Sequence, residues 1–309
     1  MKKEVSAVND TKTVACLAGD GVGPELMAAA ARALDGVARL HSLEVADVHL
    51  PFGGEAVTRS GHALPSLTRS AYRDVDAILV ASPREPALDG VKADLHLSWR
   101  IARVHFGANR DVVFFGAVDA ANDGKAIARA FTCAASRRGR VACVGACAAW
   151  RDAVERERSR WGGLDVVEPT LGEALVGLKE DPAGFDVLVS ESHLMTPLVD
   201  AAAHFAESKT AVAHAWLPDD GPGIFVPGST DADEHGGFGV ADPTAMLFTT
   251  SLLLAEGLRR RSASRTLERA VGEAIDTDAS RETRPFTDAV LELLPQARTD
   301  IEHFEGAWR

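Results

Sequence analysis

The sequence predicts an α/β fold: a large mixed, mostly parallel sheet flanked by helices. Short apolar runs of strand length alternate with longer segments of helical period along the 309 residues. That alternation requires crossover connections, which make most neighbouring strands parallel and cover both faces of the sheet. The composition, 46% hydrophobic and 25% charged, is that of an ordinary globular protein and excludes collagen-like and disordered classes. The length supplies enough apolar material for one large or two ordinary domains.

The elements follow in order. Thr13–Ala18 is an apolar strand, and Pro24–Leu40 is a helix with proline in its first turn, where no backbone donor is missed. Leu43–Leu50 and Ala77–Ala81 read as strands, as does Val112–Val118; Lys125–Arg138 is the next helix. Strands at Val141–Val144, Leu164–Val167, Phe185–Val189 and Ala211–Trp216 are separated by helices at Ala148–Trp161, Gly172–Lys179 and Pro197–Phe205. Pro218–Gly239, rich in Gly, Pro and Asp, reads as one long loop, of the kind usually tied to function. Helices at Pro243–Leu258, Ser262–Ala274 and Phe286–Leu294 complete the chain, with Asp242 placed to cap the first of them.

The net charge of −12 repels phosphate backbones and anionic lipid, so neither a nucleic acid nor a membrane is the expected partner. A small anionic ligand remains compatible with it, because a local pair of arginines overrides the distant field. The N-terminal MKKEVSAVNDTKT has no apolar run after its lysines, and no stretch of about 18 apolar residues exists. The expectation is a cytoplasmic protein. Cys16, Cys133, Cys143 and Cys147 form no CxxC pair and sit in apolar sequence. Cys143 and Cys147 lack a second ligand pair at zinc spacing, so the four read as buried reduced thiols.

Gly19-Asp20-Gly21-Val22-Gly23-Pro24-Glu25 follows a strand and opens a helix. It is not the GxGxxG dinucleotide fingerprint, because its third glycine comes too early and proline follows. With its surroundings, LAGDGVGPELMAAAARALDGV, it resembles the N-terminal segment of the β-decarboxylating dehydrogenases, the isopropylmalate/isocitrate dehydrogenase family. FGGEAVTRSGHALP (52–65), ARAFTCAASRRGRV (128–141), DPAGFDVLVSE (181–191), GPGIFVPGSTDADEHGGFGVADPTAML (221–247) and RPFTDAVLELL (284–294) are similar to later family segments, in the same order.

That resemblance implies a two-domain fold, with residues 1–99 plus 219–309 on the cofactor side and 100–218 forming the central domain. It implies NAD- or NADP-dependent oxidation of a 2-hydroxy acid followed by decarboxylation. Mg²⁺ or Mn²⁺ would be held by three aspartates, arginines would clamp carboxylates, and a Lys and a Tyr would move protons. By the same resemblance Arg100 and Arg110 occupy the two substrate-arginine positions, with structural salt bridges as the competing reading. Gly228, Ser229, Asp231, Asp233 and Asp242 fall in the cofactor segment, where Asp231 or Asp233 suits NAD over NADP or belongs to a solvated loop, and Asp242 replaces the family's adenine-contacting Asn.

Other positions depart from the family. The sole tyrosine, Tyr72, lies far upstream, and the arm that carries the family's Tyr and helps clasp two subunits is missing. Val144–Arg151 contains no lysine where the family has one. Gly172 and Thr196 stand at two metal-aspartate positions, and Asp200 alone matches the third. Glu173, Glu191 and His193 lie near enough to substitute, against a capping or solvated role. The cation is therefore expected to bind weakly or not at all. Three functions stay open: altered chemistry on a small carboxylic acid, a non-catalytic binding or regulatory subunit beside a complete paralogue, or a nucleotide-independent lyase or isomerase. The family's shared site implies a homodimer with a reduced interface.

Overall fold

A computed structural model describes residues 11–82, 86–106, 110–205, 212–228, 238–277 and 279–306, with side chains to residue 301. The strands are β1 (Lys12–Leu17), β2 (Val45–His49), β3 (Ala77–Val80), β4 (Leu97–His105), β5 (Asp111–Ala117), β6 (Arg140–Val144), β7 (Asp165–Val167), β8 (Val187–Ser190), β9 (Val212–Pro218) and β10 (Gly223–Pro227). The helices are α1 (Gly23–Leu40), α2 (Gly54–Ser60), α3 (Ser66–Ala71), α4 (Ala87–Asp94), α5 (Asp123–Ala135), α6 (Ala148–Arg160), α7 (Leu171–Glu180), α8 (Met195–Phe205), α9 (Thr244–Leu252), α10 (Arg261–Asp276) and α11 (Thr283–Gly306). A π-helical turn, Leu253–Gly257, extends α9. No helix among the described residues is long and apolar enough to cross a membrane.

All strands join one sheet in the order β2-β1-β3-β10-β9-β4-β5-β8-β6-β7. The outer parts are parallel: β2, β1, β3 and β10 on one side, β5, β8, β6 and β7 on the other. The middle is antiparallel, through the β10–β9, β9–β4 and β4–β5 pairings. The predicted mixed, mostly parallel sheet is therefore present, and its antiparallel part is concentrated at the centre. The expected domain divisions fall within β4 (99/100) and at the end of β9 (218/219).

Two strands differ from the sequence reading. Residues 223–227, placed in the long loop, form β10, whose five residues are all buried. Their flanking glycines and prolines mask a run too short to signal itself. β4 carries no strand signal in the sequence because Arg100, Arg103 and His105 interrupt its apolar period. Arg103 is tolerated there because Asp111 lies at 2.6 Å and Glu268 also pairs with it. The C-terminal helix extends well beyond the predicted Phe286–Leu294 and carries Pro295 internally.

One face of the sheet packs against α1, α5, α6 and α9–α11 around a single large apolar cluster that includes Leu26, Phe115, Phe131, Trp150, Phe248 and Phe286. The opposite face carries two smaller clusters. One joins β4, β5, β6 and β8 to α7 and α8; the other joins β1, β3 and β10 to Phe52, Tyr72 and α4. Tyr72 is fully buried there and donates to Asp94, so the sole tyrosine is a packing residue.

Candidate functional site

The glycine motif forms the β1–α1 turn. Gly19 and Gly21 take φ of +69° and +62°, in the left-handed region that glycine enters at no steric cost. A side chain at Gly23 would put its Cβ 2.0 Å from the Ala18 carbonyl oxygen. The two acids of the motif bind backbone: Asp20 accepts from the Gly54 N–H at 2.9 and 2.8 Å, and Glu25 accepts from Gly239 at 2.9 Å and Ala241 at 3.3 Å. The turn thereby ties α1 to α2 and to the segment entering α9. As for Asp242, one carboxylate oxygen accepts from the Thr244 N–H at 2.8 Å and the other lies 3.7 Å from Arg281.

A polar crevice lies at the antiparallel centre of the sheet. Arg100 on β4 pairs in register with Trp216 on β9, and Ala102 with His214, so these side chains share one face. Arg100 also pairs with Gly116 on β5, and a Cβ at Gly116 would sit 2.6 Å from the Met195 sulfur. The missing side chain lets the start of α8 approach the sheet. Arg100 Nη2 consequently reaches Thr196 Oγ1 at 3.0 Å, and Asp200, one turn further along α8, interacts electrostatically with the same guanidinium. Lys92 of α4 lies over the Trp216 ring, 4.3 Å from its centroid, and the His214 and Trp216 rings are 5.6 Å apart. Asp200, His214 and Gly228 line a cavity of about 320 Å³ beside this group.

Burial lowers the pKa of Arg100, with Asp200 opposing, and lowers that of Lys92, with Asp89 opposing and neighbouring Arg100 adding to the effect. His214 is pushed down to about 4 by burial and then by Arg100 and Lys92, and is neutral at pH 7. Two partly desolvated cations, a hydroxyl and a neutral imidazole facing one crevice suit a carboxylate-bearing ligand.

Arg100, Thr196 and Asp200 therefore converge, and Gly228 lies alongside. Arg110 does not join them in the same chain: it precedes Asp111, which pairs with His105 at the far end of the β4–β5 hairpin, roughly 17 Å away along the strands. There it lines a cleft with Asp111, Glu268 and Arg269. Ser229, Asp231 and Asp233 lie outside the described residues. Glu173 closes a capping box with Thr170 at the start of α7, as the capping reading has it, while Gly172 is beside it with open space around its Cα. Glu191 accepts from the Ala146 and Cys147 N–H groups at 3.1 and 2.9 Å, and exposed His193 stands 3.9 Å from it. Among the described residues, no cluster of three potential ligand groups includes Asp200.

The cysteine reading needs correction: Cys16 and Cys143 are buried, Cys133 is partly buried, and Cys147 is exposed. Cys147 sits at the N-cap of α6, where its sulfur accepts from the Trp150 N–H, so its apolar sequence neighbours did not decide its environment. Sequence reasoning missed Lys92, His214 and Trp216 because each lies on an element or face that only the sheet order brings to Arg100.

Residues 13–98 match the family model described as isocitrate/isopropylmalate dehydrogenase. The chain is 31% identical to the 3-isopropylmalate dehydrogenase of Synechococcus sp. (strain CC9902) over 318 positions, covering 84% of this chain and 89% of that one. It is 27% identical to the 3-isopropylmalate dehydrogenase of Pseudoalteromonas translucida, covering 85% and 90%. Among solved structures it resembles isocitrate dehydrogenase from Methylococcus capsulatus, with a TM-score of 0.75 and 19% identity over 92% of this chain and 99% of that one. A β-decarboxylating dehydrogenase from Thermococcus kodakarensis is similar at TM-score 0.75 and 18% identity, covering 97% and 99%.

Proposed function

The chain belongs to the isocitrate/isopropylmalate dehydrogenase family, and from that premise we propose that it acts on a small carboxylic acid held at Arg100, with chemistry altered from the family's metal-dependent oxidative decarboxylation. The observation that carries this reading is the grouping of Arg100, Lys92, Thr196 and Asp200 on one crevice. Arg100 offers a planar fork to a carboxylate, Lys92 adds a second cation, and the Thr196 hydroxyl and Asp200 carboxylate can pair with a ligand hydroxyl. Neutral His214 can accept a hydrogen bond on the same face.

The donor set around Asp200 does not fit Mg²⁺ or Mn²⁺ within one chain. A hard six-coordinate cation needs several oxygen ligands, and Asp200 has a guanidinium beside it and no pair of further ligand groups among the described residues. The described residues fit a nicotinamide nucleotide in part: Gly228 borders the crevice, while Asp242 is occupied by Thr244 and Arg281. A two-lobed chain divided near 100 and 218, working as a homodimer in the cytoplasm, is the assembly proposed with this reading. That no carboxylate cluster surrounds Asp200 among the described residues also favours a second reading, a binding or regulatory subunit acting with a complete paralogue.

Calorimetric titration with a panel of di- and tricarboxylates, with and without NAD and Mn²⁺, tests the proposal. A dicarboxylate is expected to bind without Mn²⁺, and Arg100→Ala to weaken it about tenfold or more, as for loss of a charge-assisted pair. Arg110→Ala is expected to change affinity by less than about twofold, since screening reduces its field at that distance. Turnover of a hydroxy acid distinguishes the enzyme from the binding subunit. Undiminished binding by the Arg100 variant removes the proposal.

A further inference from the structure

At the β2 edge of the sheet, a second group of polar side chains has no part in the crevice. β1 and β2 pair in parallel with Val14 opposite Asp47 and Cys16 opposite His49, so Cys16, Asp47 and His49 project from one face. Their ligand atoms all lie within 4.8 Å of one another, and His49 Nε2 stands 3.1 Å from Asp47 Oδ2. No other trio of this kind occurs among the described residues. Cys16 is only 2% exposed, whereas Asp47 and His49 are exposed on the edge strand.

We propose that Cys16, Asp47 and His49 bind a zinc-type divalent cation, with the fourth position left to water. One thiolate, one imidazole and one carboxylate are the donors that borderline-soft Zn²⁺ accepts, whereas Mg²⁺ and Ca²⁺ prefer oxygen. With bonds of about 2.3 Å to sulfur and 2.0–2.2 Å to nitrogen and oxygen, tetrahedral donors stand roughly 3.3–3.6 Å apart. The group as it stands needs a small contraction, which the edge position of β2 allows. Sulfur supplied from the buried side and two exposed ligands from the edge leave the remaining position facing solvent. The cation would fasten β2, paired on one side only, to β1. This site shares no residue with the Arg100 crevice, so it stands or falls independently of the proposed carboxylate binding.

The experiment is titration of the metal-stripped full chain with Co²⁺, read by absorption, and with Zn²⁺, read by calorimetry. Expected are a thiolate-to-cobalt band in the near ultraviolet, visible bands of a four-coordinate ion, one Zn²⁺ per chain and a raised Tm. Cys16→Ser should abolish the near-ultraviolet band. Because Cys16 is buried, the exposed-site variants His49→Gln and Asp47→Asn give a second measure that folding defects do not confound; each should weaken Zn²⁺ about tenfold or more. Asp200→Asn should leave both readouts unchanged. Absence of the thiolate band, or Zn²⁺ affinity unaffected by His49→Gln and Asp47→Asn, overturns the assignment.

Discussion

His105 is a side chain whose protonation state the fold determines. Its ring stacks on Phe248 at 3.6 Å, and burial, followed by the nearby Arg103, pushes its pKa down to about 3. The folded protein therefore holds it neutral, while the unfolded chain takes up a proton near pH 6.5. The stability contributed by keeping it neutral is present above about pH 6.5 and is lost as pH falls from there toward 3, on the order of several kcal/mol by linkage. His105→Phe retains the ring against Phe248 and removes this titration. Its urea midpoint is expected to fall less steeply than that of wild type between pH 6.5 and 4. At the same scale, Thr170 accepts from the Glu173 N–H, and Glu173 reaches back to the Thr170 N–H at 2.8 Å. Thr170→Ala is expected to cost about 1 kcal/mol in chemical denaturation, and Thr170→Gly less.

The meeting of α8 with β5 decides whether Arg100 has a partner. A methyl group at Gly116 would meet Met195 at 2.6–3.1 Å, at the helix turn that carries Thr196. Gly116→Ala is expected to destabilise the chain by about 1–3 kcal/mol through overpacking and to weaken dicarboxylate binding by shifting Thr196 away from Arg100. Met195→Ala in the same chain should restore part of the affinity; no restoration would mean that α8 does not position the crevice. Legibility in the sequence also divides by element. β1, α1, β3, β5 and α5 were readable because each has one uninterrupted apolar face or run. β4 and β10 were not, because charged residues broke one and glycine and proline framed the other. Glu173 as a cap was foreseeable, since Thr170 and Glu173 have the spacing of a capping box.

Across the molecule, a charged network links the antiparallel centre to the α5 and α10 layer of helices. Arg103 joins Asp111 and Glu268, and Arg137 joins Asp111 at 2.9 Å and Asp186 at 2.8 Å, connecting β4, β5, α10, the turn after α5 and the start of β8. Asp186 also accepts from the Arg138 N–H at 2.8 Å and is 1% exposed. Removing one member leaves buried charge without compensation. Asp186→Ala is expected to lower stability by about 3–5 kcal/mol, as a shift in urea midpoint with an unchanged m-value. An unaltered midpoint would show that water replaces the carboxylate at no cost. Sequence by itself determined the strand–helix alternation, the glycine turn, the family and the places of Arg100, Thr196 and Asp200 along the chain, because local period and motif spacing are properties of neighbouring residues. The tertiary structure alone decided that Arg100 faces Lys92, His214 and Trp216, and that Arg110 lies at the opposite end of its hairpin. Strand order and register set those distances: the β4–β9 pairing joins segments more than a hundred residues apart, and the β4–β5 hairpin fixes the separation of Arg100 from Arg110.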